Sequence, residues 1–236
     1  MRQIKSKERV VKHGEVFTAE REVNAMLDLV KGSFRDVGDT FFEPACGYGA
    51  FLKEILMRKL KRVTDVSGRS RKKYEKLSVL SVSSVYGIDI MEDNVEYCRT
   101  LLYGIWLGMY RERWKKNPSK ECQDSVQFIL SKNIIRGDTL ECNTVTDFDE
   151  NDKPVYGNPI VIIEWRFDEK TYLVQRTDEF LKDMKIEDSR EKNNKPKYAQ
   201  SLFEDCNDSS FKKYKKVRYD ELHLEIEESV VKTDAE

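Results

Sequence analysis

Histidine and proline are scarce in this chain, with two and five among 236 residues. His13 and His223 stand far apart, and the five cysteines (Cys46, Cys98, Cys122, Cys142 and Cys206) show no C-x-x-C spacing. Zinc sites need clustered Cys and His ligands, and disulfide frameworks pair cysteines in short secreted chains. The pattern predicts reduced thiols and no metal centre. No apolar run is long enough to span a bilayer, and the N-terminus has no signal-peptide core. These absences predict a soluble cytoplasmic protein without a membrane partner. Repeats are also missing. A net charge of −1 argues neither for nor against nucleic acid, and a nucleic-acid binder with this balance must concentrate its cations locally.

Charge as such is abundant: 36% of residues are charged against 39% hydrophobic, so part of the chain is expected to pack weakly or to lie on a partner. The length suits one α/β domain with a sizeable core, plus a tail.

The most informative stretch is Glu43-Pro44-Ala45-Cys46-Gly47-Tyr48-Gly49. Thr40-Phe41-Phe42 before it reads as a short buried strand, and Ala50 to about Arg62 after it reads as a helix. An acid, a tight glycine turn and a helix start suit a nucleotide-like ligand over a strand's carboxyl end. Gly47 and Gly49 let the backbone approach that ligand. The spacing is not G-x-G-x-x-G, so a dinucleotide is not the first expectation.

Upstream, Thr18 can cap a helix whose apolar face carries Val23, Met26, Leu27 and Val30. Downstream, Thr64 to Ser70 reads as a loop and Arg71 to Ser84 as a helix. Val85 to Ile90 reads as a second strand ending at Asp89, and Glu92 to Trp114 as a long amphipathic helix capped by Asp93 or Asn94. Pro118 to Leu130 holds another helix, and Asn133 to Asp138 a third strand and turn. The acidic stretch from Asn143 to Asn158 reads as a loop. Ile160 to Trp165 reads as a fourth strand buried on both faces. Alternating strands and helices predict an α/β fold with a mostly parallel sheet and helices on both faces. Tyr172 to Met184 reads as a helix, and 166–236 as a charged C-terminal appendage to a domain spanning 1–165.

In such a sheet ligands bind outside the strands' carboxyl ends. Glu43, Asp89, Asp138, and Glu164 with Trp165 are expected to converge there. Each acid alone is equally the kind that caps a following helix. Asp89 lies about forty residues beyond the glycine turn, against roughly twenty in a minimal βαβ unit, and the inserted Arg71 to Ser84 helix accounts for the excess.

These features resemble the S-adenosylmethionine-dependent DNA adenine-N6 methyltransferases of restriction-modification type, often labelled modification subunits. Glu43-Pro44-Ala45-Cys46-Gly47 resembles their motif I, and Gly14-Glu15-Val16-Phe17-Thr18 their motif X, with Ala19 where proline is usual. The resemblance covers about 10–165. It implies a Rossmann-like class I methyltransferase fold that binds S-adenosyl-L-methionine and acts on DNA. Phe17 and Thr18 would line the methionine end, and Glu43, Ala45, Cys46, Gly47 and Gly49 would form the turn. Asp89 with Ile90 would take both ribose hydroxyls, and Asp138 the adenine amino group. A specificity or restriction subunit, or a second copy, is the implied further partner.

The family's Asn/Asp-Pro-Pro-Tyr/Phe tetrapeptide is absent. Gly157-Asn158-Pro159-Ile160 lacks the second proline and the aromatic, and it precedes the apolar strand, where it reads as a turn. Glu164 and Trp165 stand where the catalytic motif belongs. Glu164 can accept from an amine and Trp165 can stack on a base; equally, the pair is a degenerate strand end with structural roles. Two basic regions, one from Arg58 through Lys73 and one from Lys212 through Arg218 with interleaved aromatics, suit phosphate contact or ordinary solvated surface. The expected function is therefore an adenine-N6 DNA methyltransferase. The alternatives are an inactive cofactor-binding or scaffold subunit that needs a partner, and a methyltransferase with an RNA, protein or small-molecule substrate.

Overall fold

A computed structural model describes residues 18–168, 170–183 and 212–225. Helix α1 (Glu20–Leu29) is followed by a short 3-10 turn (Lys31–Phe34) and strand β1 (Phe41–Glu43). Helices α2 (Ala50–Ser67) and α3 (Arg71–Ser83) lead to β2 (Val85–Asp89), and α4 (Glu92–Trp114) and α5 (Lys120–Asn133) lead to β3 (Ile134–Asp138). Strands β4 (Asn143–Phe148), β5 (Pro154–Pro159), β6 (Val161–Phe167) and β7 (Leu173–Phe180) follow, then β8 (Lys212–Lys213) and β9 (Val217–Arg218).

The first sheet runs β1-β2-β3-β4-β5. Its first three strands are parallel, with Phe41 opposite Val85 and Gly87 opposite Ile134. β4 and β5 are antiparallel, so the sheet is mixed rather than purely parallel. A second sheet pairs β6 with β7 antiparallel along their lengths, from Val161–Phe180 to Phe167–Val174, and β8 and β9 pair with β7. The long β2 to β3 and β1 to β2 connections carry helices, as parallel neighbours require.

Side chains alternate along β2. A Cβ on Gly87 would stand 2.7 Å from Leu52 of α2 and 3.0 Å from Cys46, so glycine permits close strand–helix contact on that face. On the other face the second sheet comes within reach of β2: the Tyr86 hydroxyl donates to Ile163 O at 2.6 Å. Leu52, Leu56, Leu60, Ile88, Leu102, Trp106, Ile129 and Ile134 form the centre of the core.

Four expectations change. Helix α2 continues through Thr64 to Ser67, because Val63 packs with Val37, Tyr74 and Tyr110 and the Thr64 hydroxyl bonds Leu60 O at 3.1 Å. The helix ends at Gly68, whose φ of +56° stops it. The stretch expected as a loop at 143–158 is the β4–β5 hairpin, in which Gly157-Asn158-Pro159 is strand rather than turn. Its 149–153 turn is tied by Asp149 Oδ1, which accepts from Asn151 N and Lys153 N at 2.8 Å. The helix expected at Tyr172 to Met184 is β7 and a 3-10 turn, stabilised by pairing with β6. The apolar strand at Ile160 to Trp165 is not a fourth parallel strand. A hairpin, not a crossover helix, separates it from β3, and the chain enters a different sheet.

The expected boundary after Trp165 falls inside β6, and Tyr219 and Leu222 belong to the same core as Leu52. Among the described residues no helix is long and apolar enough to cross a membrane.

Lys59 fixes the approach to β1. Fully buried, its ammonium donates to Val37 O (2.8 Å), Asp39 O and Ser84 Oγ (2.6 Å), joining the loop before β1 to the α3–β2 junction. Burial pushes its pKa down to about 7.

Candidate functional site at the carboxyl ends of the parallel strands

Residues 44–49 leave β1 as a tight turn. Cys46 N donates to Ile88 O (2.9 Å), Gly49 N to Cys46 O (2.8 Å), and Lys53 N to Gly49 O (2.7 Å), which opens α2. Gly47 and Gly49 are both left-handed, at φ +51° and +80°. They serve different ends. A Cβ on Gly49 would stand 2.6 Å from Cys98 Sγ, whereas one on Gly47 would meet nothing within 4 Å. Gly49 is thus required by packing, and Gly47 presents bare backbone to open space.

Asp89 at the end of β2 holds this turn. Its Oδ2 accepts from Gly47 N at 2.8 Å, and its Oδ1 accepts from Met91 N (2.9 Å) and Asn94 Nδ2 (3.1 Å). The carboxylate therefore clamps the glycine turn to the start of α4. That helix has Met91 at its N-cap and no side-chain cap bond, contrary to the expected capping by Asp93 or Asn94. A carboxylate has about four acceptor directions. Among the described residues one remains open on Oδ2, enough for a single ribose hydroxyl rather than both. Ile90 lies between Asp89 and α4, half-buried.

Glu43 ends β1, half-buried, and burial holds its carboxyl above the usual range while the Ala45 backbone bond opposes that shift. Ala45 is exposed. The Cys46 thiol is pushed far up by its hydrogen bond with Cys98 and by burial, so it stays a neutral thiol beneath the turn. Asp138 closes β3. Its Oδ1 accepts from Leu140 N (2.9 Å) and Glu141 N (3.3 Å), and its Oδ2 from the Tyr156 hydroxyl (3.0 Å). Thr139 Oγ1 then donates to Pro44 O at 2.7 Å, tying the exit of β3 to the exit of β1. Glu43, the glycine turn, Asp89 and Asp138 therefore stand along one sheet end.

Thr18 does not cap α1. Ala19 is the N-cap, and its N–H donates to Glu22 Oε2 at 3.3 Å. Arg58 bonds Asn24 Oδ1 (2.8 Å) and Asp28 Oδ1 (2.7 Å), and Lys53 faces Glu20 at 3.8 Å, so α1 lies along α2 with its start near the glycine turn. Phe17 lies outside the described residues.

Glu164 and Trp165 are not brought to this end. Glu164 Oε1 accepts from Arg166 Nε at 2.7 Å. Trp165 is buried, and its indole N–H donates to Asn133 Oδ1 at 3.0 Å. Asn133 in turn donates to Ser83 O and Val85 O, at the amino end of β2. The five residues of β2 place that end roughly 13 Å from Asp89 at a rise of 3.3 Å per residue. A base held at the carboxyl ends of the parallel strands cannot stack on this ring. The physical reason is the strand reversal: β6 is antiparallel in the second sheet, so its end is not an end of the parallel array.

The basic regions divide similarly. Arg58 and Lys59 point inward to the partners given above. In the second region Tyr214 and Tyr219 are buried, Tyr214 under the Arg176 guanidinium at 3.9 Å, and Arg218 pairs with Asp220 at 3.0 Å. Phe211 lies outside the described residues.

Sequence reading missed Tyr156 as a partner of Asp138, and Thr139 and Cys98 as neighbours of the turn. Cys98 stood on the apolar face of α4, but only the fold sets it under Gly49. Comparison with protein-family models, curated proteins and solved structures finds no match to this chain.

Proposed function

We propose that the chain is an S-adenosyl-L-methionine-binding subunit of a DNA adenine-N6 methyltransferase of restriction-modification type, working with a partner that supplies the amine-accepting group. The observation that carries this reading is the Gly47–Asp89 clamp: a bare left-handed glycine and a strand-end carboxylate, bonded at 2.8 Å, beside Glu43. A Rossmann-like reading of β1 to β3 belongs to the same proposal.

The residues fit the adenosyl group at the turn. Open space over Gly47 admits the ligand's sugar against backbone, and the free direction on Asp89 accepts one ribose hydroxyl. Glu43 offers negative charge to the ligand's ammonium and sulfonium, Asp138 accepts from the adenine amino group, and Thr18 flanks the methionine end. Ala45, Cys46, Gly49 and Ile90 shape the backbone around it. The bound cofactor would supply the electrophilic methyl group; the chain's own residues bind and orient it. The self-sufficient enzyme is less well supported, because Trp165 is committed to Asn133 at the other end of β2.

The test pairs calorimetry with S-adenosylhomocysteine and tritiated methyl transfer to unmethylated duplex DNA. The expected result is binding without transfer by the chain alone, with Glu164→Ala and Trp165→Phe binding as the parent does. Transfer by the chain alone overturns the subunit reading in favour of a complete enzyme. No binding heat overturns both.

A further inference from the structure

The fold gathers a cationic surface far from the glycine turn and the strand ends just described. Helix α2 ends, α3 begins and α4 ends at one place: Arg113 donates to Gly68 O at 2.7 Å, and Arg71 to Asn117 O at 3.3 Å. Arg62, Arg69, Lys72, Lys73, Lys115 and Lys116 are exposed there; the exposed acids in 61–73 and 111–117 are Asp65 and Glu112, and Lys73 also borders a groove that it shares with Asp36 and Asp39. The chain's net charge is −1, so this surface is a local concentration and not the overflow of a basic protein.

Helix stability explains only part of it. Cations at the end of α4 face that helix's negative pole and are favourable there. Those in the first turn of α3 face a positive pole, with no acid in that turn. Each cation so placed is unfavourable for that helix. Arg71 is compensated by Glu75 at 3.1 Å. Lys72 and Lys73 make no ion pair among the described residues. Lys115 is also left-handed, at φ +54°, a position where glycine is the unstrained choice.

The chemistry of the partner follows from what surrounds these charges. No large apolar side chain is exposed in 61–73 or 111–117, and Trp114 is half-buried against Tyr74 at 5.8 Å. A protein interface wants an apolar or aromatic anchor, and a membrane-surface helix wants an apolar face. A phosphate backbone wants neither, only spaced cations.

We propose that this surface docks the phosphate backbone of double-stranded nucleic acid. The inference rests on the proposed function only in taking nucleic acid as the partner, and not on the cofactor. Helices α2 and α4 start beside the glycine turn and Asp89 and end at this surface. At 1.5 Å per residue their 18 and 23 residues span about 27 and 34 Å. A duplex held here is anchored by its backbone, and the base pairs at the anchor are not the ones presented near Asp89. The surface is a sequence-independent anchor, separate from any base-presenting surface of the partner.

The experiment is fluorescence anisotropy of a short labelled duplex, as DNA and as RNA, over a range of salt, with calorimetry of S-adenosylhomocysteine on the same preparations. The parent is expected to bind duplex with steep salt dependence. Lys72→Glu/Lys73→Glu/Lys116→Glu is expected to lose at least about tenfold in affinity and to flatten the log K against log salt slope by about 2–3, since each phosphate contact contributes about 0.9. The milder Arg62→Gln/Lys116→Gln pair weakens binding in the same direction. Lys31→Glu/Lys153→Glu, on other exposed surface, binds as the parent does. Triple-variant binding equal to the parent, salt-insensitive parent binding, or displacement of duplex by polyglutamate as readily as by unlabelled duplex each overturns the proposal. A DNA or RNA preference decides the source and supports the anchor either way. Cofactor heat absent with duplex binding present sinks the cofactor reading and leaves this one standing.

Discussion

Replacing Asp89 by asparagine tests whether the strand-end carboxylate is a clamp. The carboxylate accepts from Gly47 N with one oxygen and from Met91 N and Asn94 Nδ2 with the other. An amide has one oxygen, so one side of this arrangement must be lost in either orientation. With the oxygen kept toward α4, an NH2 group faces the Gly47 N–H and the turn is released. Hydrogen bonds to charged groups contribute about 1.5–3 kcal/mol. Removing negative charge at the start of α4 costs about 0.3–1 kcal/mol more. Gly47 is half-buried, so water relieves part of the loss. The expected destabilisation is about 2–3 kcal/mol. Urea unfolding followed by circular dichroism reads it as a lower midpoint with an unchanged slope, because the folded surface is the same. A change below about 0.5 kcal/mol, the range of an ordinary surface substitution, refutes the clamp. On the proposed function, cofactor binding by this variant should weaken as well, through both the turn and the proposed ribose contact.

Three further outcomes follow from the packing. Gly49→Ala should cost about 2–4 kcal/mol, combining strain at φ +80° with a contact of 2.6 Å to Cys98 Sγ; adding Cys98→Ala should restore part of that in thermal melts, and a double variant no better than the single refutes the contact. Lys59 has a folded pKa of about 7 against 10.5 when unfolded, so unfolding takes up a proton between these values and its contribution to stability rises with pH. The parent should gain about 1 kcal/mol per pH unit on Lys59→Met from pH 7 to 9 in urea unfolding, and parallel pH profiles contradict the burial argument. Trp165→Phe orphans Asn133 Oδ1 and should cost about 1–3 kcal/mol in stability without changing the affinity for S-adenosylhomocysteine; a selective loss of ligand binding would return the ring to the crevice.

The stretch from β1 to β3 was legible in sequence because its signals are local. Helices α3 and α4 have bounds close to those expected from their apolar periodicity, and β2 and β3 are short β-rich runs ending in acids. The Glu43 to Gly49 turn was legible for the same reason: acid, proline and two glycines specify a turn by their own backbone preferences. The rest depended on contacts that no window contains. The β4–β5 hairpin has both faces largely exposed, so its polar residues hide the period-2 alternation. The run at Ile160 to Trp165 announces a buried strand but not its direction, which the preceding hairpin decides. Leu173 to Phe180 carries enough charge to read as helix, and pairing with β6 overrides that preference. At the candidate site the identities of Gly47 and Asp89 could be read, but their mutual bond spans 42 residues and the Thr139–Pro44 bond spans 95. Asp89 and Asp138 looked like ligand acceptors, and most of their acceptor capacity is used within the fold.

The most direct test of the account is calorimetric titration of S-adenosylhomocysteine into the parent and into Gly47→Ala. A Cβ at Gly47 meets no protein atom within 4 Å, so the fold should lose only about 1–2 kcal/mol from backbone strain at φ +51°, while the added methyl occupies the place proposed for the ligand. One-site binding by the parent, weakened at least about tenfold in the variant, is the result predicted. No heat with the parent, or equal affinity in the two proteins, contradicts the claim that this turn grips an adenosyl ligand.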